Sequence, residues 1–243
     1  MAGGGSARWR VLAVLFTVRT AFAFQFQAVG ALSPLIAESY GMGLADVGLL
    51  IGLYLAPGIA MALPGGALGA RFGDRQMVLA GLALMVAGGA LTVAAPGFEA
   101  QLAGRLIAGV GGVILNVQMT KMVADWFSGR EIATAMAIFV NSWPVGVALA
   151  LATLPMVAET GGLGAALGLT TVYAALCLML MAALHRAPPQ AIGAAPVAAW
   201  PAGAALAGLC AAAAAFDLGV AMLAACVALL WAFRAIRAHH RFA

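Results

Sequence analysis

Charged residues are scarce in this chain. They make up 8% of its 243 residues, whereas hydrophobic residues make up 65% and the mean hydropathy is +1.06. A typical soluble domain is about 25% charged, and a protein folded in water needs polar groups to cover its surface. The composition therefore excludes a soluble enzyme or binding domain. It predicts an all-α fold, a polytopic bundle of transmembrane helices surrounded by lipid.

Residues that commonly bind metals or perform catalysis are also few. The three cysteines lie in apolar stretches, and the three histidines lie at predicted cytoplasmic ends of helices. Neither residue type has metal-ligand spacing, and no Ser-His-Asp pattern is visible. We therefore predict no enzyme activity, no cofactor and no metal. The net charge of +4 is small and is better explained by membrane orientation than by nucleic-acid binding.

Apolar segments long enough to cross a bilayer recur along the chain, since a helical crossing needs about 20 residues. Six are predicted, at residues 10–36, 47–70, 76–95, 101–124, 132–157 and 165–184, and two weaker ones at 198–216 and 218–234. The predicted organisation is a six-helix part over residues 1–186, a Pro-rich cytoplasmic loop over 187–200, and two weak helices with a basic tail over 201–243.

The basic residues of the loops all fall on one predicted side of the membrane. Every second loop carries Arg or Lys, beginning with Arg8 and Arg10, while the alternate loops carry acids such as Glu99 and Glu159. Cytoplasmic loops are enriched in Lys and Arg. The pattern predicts a multi-pass protein of the plasma (inner) membrane with both termini in the cytoplasm. The preference for Arg, together with abundant Ala and Gly, indicates a bacterial inner membrane.

Glycine pairs in the pattern GxxxG recur within the predicted spans. In lipid, such pairs let two helix backbones approach closely. We therefore expect them at ordinary helix–helix contacts. The pairs are Gly48 with Gly52, Gly65 with Gly69, and Gly164 with Gly168.

Polar side chains inside the spans concentrate on spans 1 and 4. At about 100° per residue, Arg105 and Asn116 share one stripe of span 4, and Arg19 and Gln27 lie close together on span 1. Polar groups are costly in a bilayer, so these stripes predict a wet interior, with spans 3 and 6 as lipid-facing supports. The candidate substrate-binding residues are Arg19, Gln25, Gln27, Asn116, Gln118, Asn141 and Trp143.

Several of these residues have more than one interpretation. Arg19 can bind a carboxylate or oxyanion, or it can extend towards the cytoplasmic headgroups. Gln25, Gln27 and Asn116 can contact a ligand or join helices by hydrogen bonds. Arg105 lies near the outer end of its span, which favours a helix-bracing role. No Asp or Glu lies in the middle of a predicted span, so no proton relay is identified.

Three segments, in order along the chain, resemble motifs of the major facilitator superfamily. Residues 66–75, with the sequence GALGARFGDR, resemble its motif between helices 2 and 3. Residues 104–112 resemble the Arg-x-x-x-Gly motif of its fourth helix, and residues 141–146 resemble the Pro-Gly motif of its fifth. The resemblance covers residues 8–186. It implies the N-terminal half of a secondary transporter that moves a small solute by alternating access.

A looser resemblance points to one branch of that superfamily. Gln25-Phe-Gln27 and the segment from Asn116 to Glu131 are similar to the cyanate/nitroimidazole-type branch. Together with Arg19, this resemblance favours an anionic solute.

The superfamily motifs imply gating or structural roles for a second set of residues. The acid that usually helps to hold the inward side shut is replaced by Ala70. Arg71 and Arg75 are expected to pair with Asp125 or Glu131, or else to be surface charges, and Pro144 is expected to bend span 5. The full set is Gly66, Arg71, Gly73, Asp74, Arg75, Arg105, Gly109, Asp125, Arg130, Pro144 and Gly146.

The number of predicted spans departs from the superfamily pattern. Its members hold substrate between two six-helix halves, about twelve helices in all, whereas about eight spans are predicted here. The expected partners are the lipid bilayer, a small-molecule solute, and a second half supplied by another chain or by a homodimer. The alternative is a truncated or half-length membrane protein that does not transport.

Overall fold

A computed structural model describes residues 3–95, 97–128 and 131–183 of the chain. Over these residues it contains helices and no strands, which confirms the all-α fold class. The predicted Pro-rich loop, the two weak helices and Arg130 lie outside the described residues. The helices are α1 (Gly3–Ala31), α2 (Ser33–Tyr40), α3 (Leu44–Leu55), α4 (Pro57–Phe72), α5 (Asp74–Ala94), α6 (Phe98–Trp126) and α7 (Ile132–Ala183).

The first predicted span is divided between α1 and α2. Pro34 lies in the first turn of α2, where its missing N–H costs no helical hydrogen bond. Helix α2 ends at Gly41, whose φ of 64° is a left-handed conformation that glycine adopts without strain. The chain then turns back, since it bends by 119° between α2 and the helix that follows it.

The second predicted span is also interrupted. Helices α3 and α4 meet at Ala56, which has helical dihedral angles, φ −54° and ψ −39°. Pro57 follows and begins α4, because proline has no N–H to continue the hydrogen-bond ladder of α3. The predicted segment 47–70 is therefore two consecutive helices.

Helix α7 contains the fifth and sixth predicted spans. Its 52 residues are far more than the roughly 20 that one crossing needs. The helix breaks at Gly162, with φ 76° and ψ 174°, and this break separates the two predicted spans. Pro144 lies inside the helix, and the non-helical residue of α7 is Gly162, so the bend expected at Pro144 stays a prediction.

Four of the described helices are long and apolar enough to cross a membrane: α1, α5, α6 and α7. The number rises to five if the bent pair of α2 and α3 counts as one span. The most apolar windows of α1 and α6 are 61% and 56% buried, whereas those of α5 and α7 are 39% and 33% buried. Helices α1 and α6 therefore lie nearer the centre of the bundle, as the distribution of polar residues predicts.

Glycines set how closely α5 and α6 pack. A Cβ on Gly81 would lie 2.6 Å from the carbonyl oxygen of Gly111, and one on Gly104 would lie 2.6 Å from that of Gly88. The expected GxxxG contacts, in contrast, are not made by the described residues at two of the three pairs. Around Gly48, Gly52, Gly164 and Gly168, the described residues leave open space where a Cβ would be.

Candidate substrate-binding site

Arg19 connects three helices at the centre of the candidate site. Its side chain extends from α1, where Nε donates a hydrogen bond to Oδ1 of Asn116 on α6 at 3.1 Å. Nη1 donates to the carbonyl oxygen of Phe139 on α7 at 2.9 Å, and the guanidinium carbon lies 4.6 Å from the centroid of the Phe139 ring. The guanidinium thus extends across the bundle, and the structure brings together the two polar stripes predicted from the sequence.

The charge of Arg19 is only half-buried and has no acidic partner among the described residues. Ion pairs within the described part of the chain involve Arg8 and Lys121, and none involves Arg19. The two hydrogen bonds of Arg19 leave further N–H groups of the guanidinium available, because this group has more donors than they use. An anion that reached the half-buried side of Arg19 would find both charge and hydrogen-bond donors.

Gln27 and Asn141 are less closely tied to this centre. Gln27 is half-buried, and its amide nitrogen folds back against Gly30. Asn141 is exposed on α7, where its Nδ2 donates to the carbonyl oxygen of Ala137 in the same helix at 2.8 Å. Neither residue contacts Arg19 through a hydrogen bond between described residues.

Gln25 and Gln118 are buried between helices. Gln25 donates from Nε2 to the carbonyl oxygen of Met85 at 3.1 Å, and its Oε1 accepts from the Tyr54 hydroxyl at 3.0 Å. Gln118 is 0% exposed, and its amide lies against Gly69 of α4. Both side chains make helix–helix contacts in this conformation, and a role for them in lining a substrate cavity stays a prediction.

Aromatic rings form one wall beside Arg19. Trp143 is half-buried, and its ring centroid lies 5.1 Å from that of Phe22 and 5.3 Å from that of Phe26. Tyr54 stacks on Phe22 at 5.8 Å. Of these, the sequence prediction included only Trp143. A signal was present, because Phe22 and Phe26 lie within about 60° of Arg19 at 100° per residue and so share its face of α1.

Arg105 occupies a fully enclosed position. Its Nη1 and Nη2 donate to the carbonyl oxygens of Gln25 and Phe26 at 2.8 Å each, and Nε donates to that of Leu50 at 3.2 Å. The guanidinium carbon lies 4.3 Å from the Tyr54 ring centroid. Only 4% of Arg105 is exposed. Its contacts join α6 to α1 and α3, so the side chain has the geometry of a brace between these helices.

Gly109 of α6 and Gly146 of α7, both in the resembling motifs, let their helices pack closely on α3 and α1. Gly109 lies against the backbone of Tyr54, so a side chain there would collide with the carbonyl group. A Cβ on Gly146 would lie 2.5 Å from the carbonyl oxygen of Thr20 and 2.7 Å from Cβ of Ala23. Pro144 is exposed on the same stretch of α7. Gly109 therefore sets the distance between α6 and α3, and Gly146 sets the distance between α7 and α1.

The predicted gating loop is held by Lys121 rather than by arginine pairs. Lys121 Nζ lies 2.6 Å from Asp74 Oδ2 and 3.6 Å from Asp125 Oδ2. Lys121 and Asp125 are one turn apart on α6, which explains why Asp125 pairs within its own helix. Glu131 pairs with Arg8 at 2.8 Å. Asp125 and Glu131, the expected partners of the loop arginines, thus pair with Lys121 and Arg8 in this structure.

The two loop arginines have other contacts. Arg75 donates from Nη2 to the carbonyl oxygen of Ala182, near the end of α7, at 2.8 Å. Arg71 is exposed, and its guanidinium carbon lies 5.4 Å from the ring centroid of Phe72. Gly66 lies within α4, and Gly73 forms the turn to α5 with φ 89°. The loop thus bonds α5 to α6 and to α7 on one side of the bundle.

Apolar helices packed around a few interior polar groups define a multi-pass membrane protein. Residues 15–236 match the sequence model of the Major Facilitator Superfamily, and the chain belongs to this family. The match extends well past residue 186, so it includes residues that the three motifs do not cover. It does not single out the cyanate/nitroimidazole-type branch.

Curated relatives of the chain are transporters rather than enzymes. The human choline/ethanolamine transporter FLVCR2 is 25% identical over 61% of this chain and 29% of its own length. An uncharacterized transporter of Buchnera aphidicola subsp. Schizaphis graminum is 25% identical over 65% and 41%. The probable L-galactonate transporter of Escherichia coli K12 is 28% identical over 58% and 32%. The chain thus spans less than half the length of each relative.

Solved structures share the fold. The crystal structure of a mutant of the peptide transporter POT in complex with alafosfalin superposes with a TM-score of 0.65 at 20% sequence identity. The superposition covers 86% of this chain and 47% of that transporter. At this level of identity the similarity establishes the helical fold and not the substrate.

Proposed function

We propose that the chain carries one half of a secondary transporter, and that Arg19 binds a small anionic solute which is moved by alternating access. The observation that supports this most directly is the guanidinium of Arg19. It is held in place by Asn116 and the Phe139 carbonyl, is half-buried, and has no carboxylate partner among the described residues. A charge taken partly out of water is costly unless it is paired, and a bound anion would supply that pair.

Trp143 and Asn141 extend the proposed site along α7. The half-buried Trp143 ring would cover the apolar part of a solute, and the exposed Asn141 amide would offer a further hydrogen bond. The resemblance of residues 116–131 to the cyanate/nitroimidazole-type branch supports a small anion over a larger substrate. Gln25 and Gln118 are left out of the site because both are buried between helices.

The proposed orientation places both termini in the cytoplasm of a bacterial inner membrane. Lys121 of α6 pairs with Asp74, and Arg8 of α1 pairs with Glu131, which follows α6, so these two cations lie near the same end of α6. Lys and Arg near helix ends favour the cytoplasmic side.

The proposed site needs a second half to enclose the solute. Family members hold substrate between two repeats near the midplane, and the described helices contribute one wall of such a site. We propose that a second copy of this chain or another six-helix unit supplies the facing wall. The competing function, a half-length membrane protein that binds no solute, makes the opposite prediction in the following experiment.

A ligand-stabilisation screen tests the role of Arg19. The purified protein would be screened by thermal unfolding with small carboxylates, cyanate and inorganic oxyanions. At a free concentration of about 100 times Kd, a ligand adds about 2.7 kcal/mol of stability. We expect one anion class to stabilise the wild type but not Arg19→Ala.

Two further variants make the screen specific. Arg71→Ala removes an exposed arginine from the same bundle and should respond like the wild type. Arg19→Lys keeps the charge without the planar fork and should respond weakly. The proposal fails if no anion stabilises the wild type, or if Arg19→Ala responds as strongly as Arg71→Ala.

A further inference from the structure

A small polar cavity lies inside the bundle at a point the proposed function does not use. Its volume is about 20 Å³, measured as room for the centre of a water-sized molecule, and a single water needs about 10–15 Å³ on that measure. The cavity therefore has room for one water and not for an organic solute. The polar side chains in its wall are Gln25, Tyr54, Thr92, Gln101, Arg105 and Thr170.

Gln101 presents a buried acceptor that has no partner. The side chain is 0% exposed, and its Nε2 donates to the carbonyl oxygen of Thr92 at 2.9 Å. Because a carbonyl oxygen needs a donor, the atom of the Gln101 amide that faces Thr92 is Nε2, and the other atom is Oε1. Oε1 accepts no hydrogen bond from any described residue. A buried acceptor left unpaired is destabilising, which indicates that a donor reaches it from the cavity.

Arg105 supplies the complementary group in the same cavity wall. Three of its N–H groups bond to the carbonyl oxygens of Leu50, Gln25 and Phe26, and a guanidinium carries further donors. A cavity that offers a donor from Arg105 and an acceptor from Gln101 fits a molecule able to do both. A metal cation would be repelled by the guanidinium, and an anion would be repelled by the amide oxygen.

We propose that this cavity binds one structural water, which accepts a hydrogen bond from Arg105 and donates one to Oε1 of Gln101. The water would extend the contacts of Arg105 from α1 and α3 to the Gln101 amide, which is itself bonded to α5 through Thr92. It would also solvate a charge that lies in a largely apolar interior. This site is separate from Arg19, so it stands independently of the proposed solute.

X-ray hydroxyl-radical labelling of the purified protein, read by mass spectrometry, tests this site. Radicals form from water, so a buried side chain is labelled where a bound water lies beside it. Tyr54 is 0% exposed and lines the cavity, and we expect it to be labelled. Met119 is also 0% exposed but does not line the cavity. Its sulfur is more reactive than a tyrosine ring, so it should stay near the level of an unirradiated sample.

Two substitutions of Gln101 test whether the labelling depends on a water held between Arg105 and Gln101. Gln101→Met removes the acceptor with little change in volume, and it should reduce Tyr54 labelling to the level of Met119. Gln101→Glu keeps an acceptor oxygen and should retain the labelling, provided that both variants unfold near the wild-type temperature. The inference is overturned if Tyr54 is labelled no more than Met119 in the wild type. It is equally overturned if Gln101→Met leaves Tyr54 labelling unchanged.

Discussion

Two arginines lie within the predicted spans, and their side chains have different environments. Arg19 is half-buried and bonds to Asn116 and Phe139, and these two bonds do not use all the N–H donors of its guanidinium. Arg105 is buried and bonds to backbone carbonyl oxygens. The sequence placed both residues correctly inside their helices. It could not indicate the carbonyl partners of Arg105, because every residue carries a carbonyl group and the choice depends on how α1 and α3 approach α6.

The glutamines illustrate a similar limit at the level of single residues. A polar residue in a span indicates an interior position, since lipid does not solvate it. Interior positions include both a wet cavity and a dry contact between helices. Gln25 bonds to Met85 and Tyr54 at a contact between helices. Only the position of the neighbouring helices distinguishes the two cases.

Removal of the Arg105 guanidinium should destabilise the fold. Arg105→Gln loses most of three hydrogen bonds and the contact with the Tyr54 ring. Such bonds contribute roughly 1 kcal/mol each in a membrane interior, so the free energy of unfolding should fall by about 2–4 kcal/mol. Denaturation in mixed detergent micelles measures this value.

Arg71→Gln is the matched control for that measurement. Arg71 is exposed, and substitutions at exposed positions usually change stability by less than about 0.5 kcal/mol. Arg105→Lys should remain unstable, because an ammonium cannot reach three carbonyl oxygens at once. Equal stability of Arg105→Gln and Arg71→Gln would show that Arg105 does not brace the helices.

At the scale of helices, the sequence predicted the segments better than their ends. The breaks at Gly73, Gly97 and Gly162 separate consecutive spans, and each of these glycines has a positive φ. The interruption at Pro57 was missed, although proline carries the signal, because the apolar run continues on both sides of it. The length of an apolar run indicates that a segment crosses the lipid. The position of a break within it depends on individual residues such as glycine and proline.

Glycine spacing was a weak guide to helix packing. The pattern GxxxG describes one helix alone, but a close approach needs a small residue on the facing helix as well. Gly81 faces Gly111, and Gly88 faces Gly104, across the contact of α5 with α6. These pairs would be recognised from sequence only if the register of the two helices were known.

Gly88→Ala should disturb the contact between α5 and α6. The added Cβ would lie 2.6 Å from the backbone nitrogen of Ala108 and 2.9 Å from its Cβ. Overpacking of this kind costs about 1–3 kcal/mol. Gly168→Ala is the matched control, because the described residues leave open space there. It should be neutral, or stabilising by up to about 1 kcal/mol. Unfolding in mixed micelles measures both variants, and equal stability would contradict the close packing.

At the scale of the whole molecule, composition and charge pattern were sufficient to predict a multi-pass helical membrane protein, and three motifs were sufficient for its superfamily. The solute could not be predicted, because Arg19 indicates a charge sign and not a molecular shape. The partner that would complete the proposed site could not be predicted either, because a single sequence does not show what packs against it. The chain spans less than half the length of the curated relatives it matches.

Solute uptake into proteoliposomes is the most direct test of a transport site at Arg19. Liposomes containing the wild type, Arg19→Ala, Arg10→Ala or Arg71→Ala would be supplied with radiolabelled cyanate and small carboxylates, with chemical cross-linking to record whether copies associate. We expect saturable uptake of one anion by the wild type and loss of that uptake in Arg19→Ala. The control for uptake is Arg10→Ala, which removes an exposed arginine of α1 from outside both predicted sets and should transport like the wild type, whereas Arg71→Ala reports the role of the predicted gating loop. Uptake no greater than in protein-free liposomes, or equal uptake by Arg19→Ala and the wild type, would contradict a solute site at Arg19.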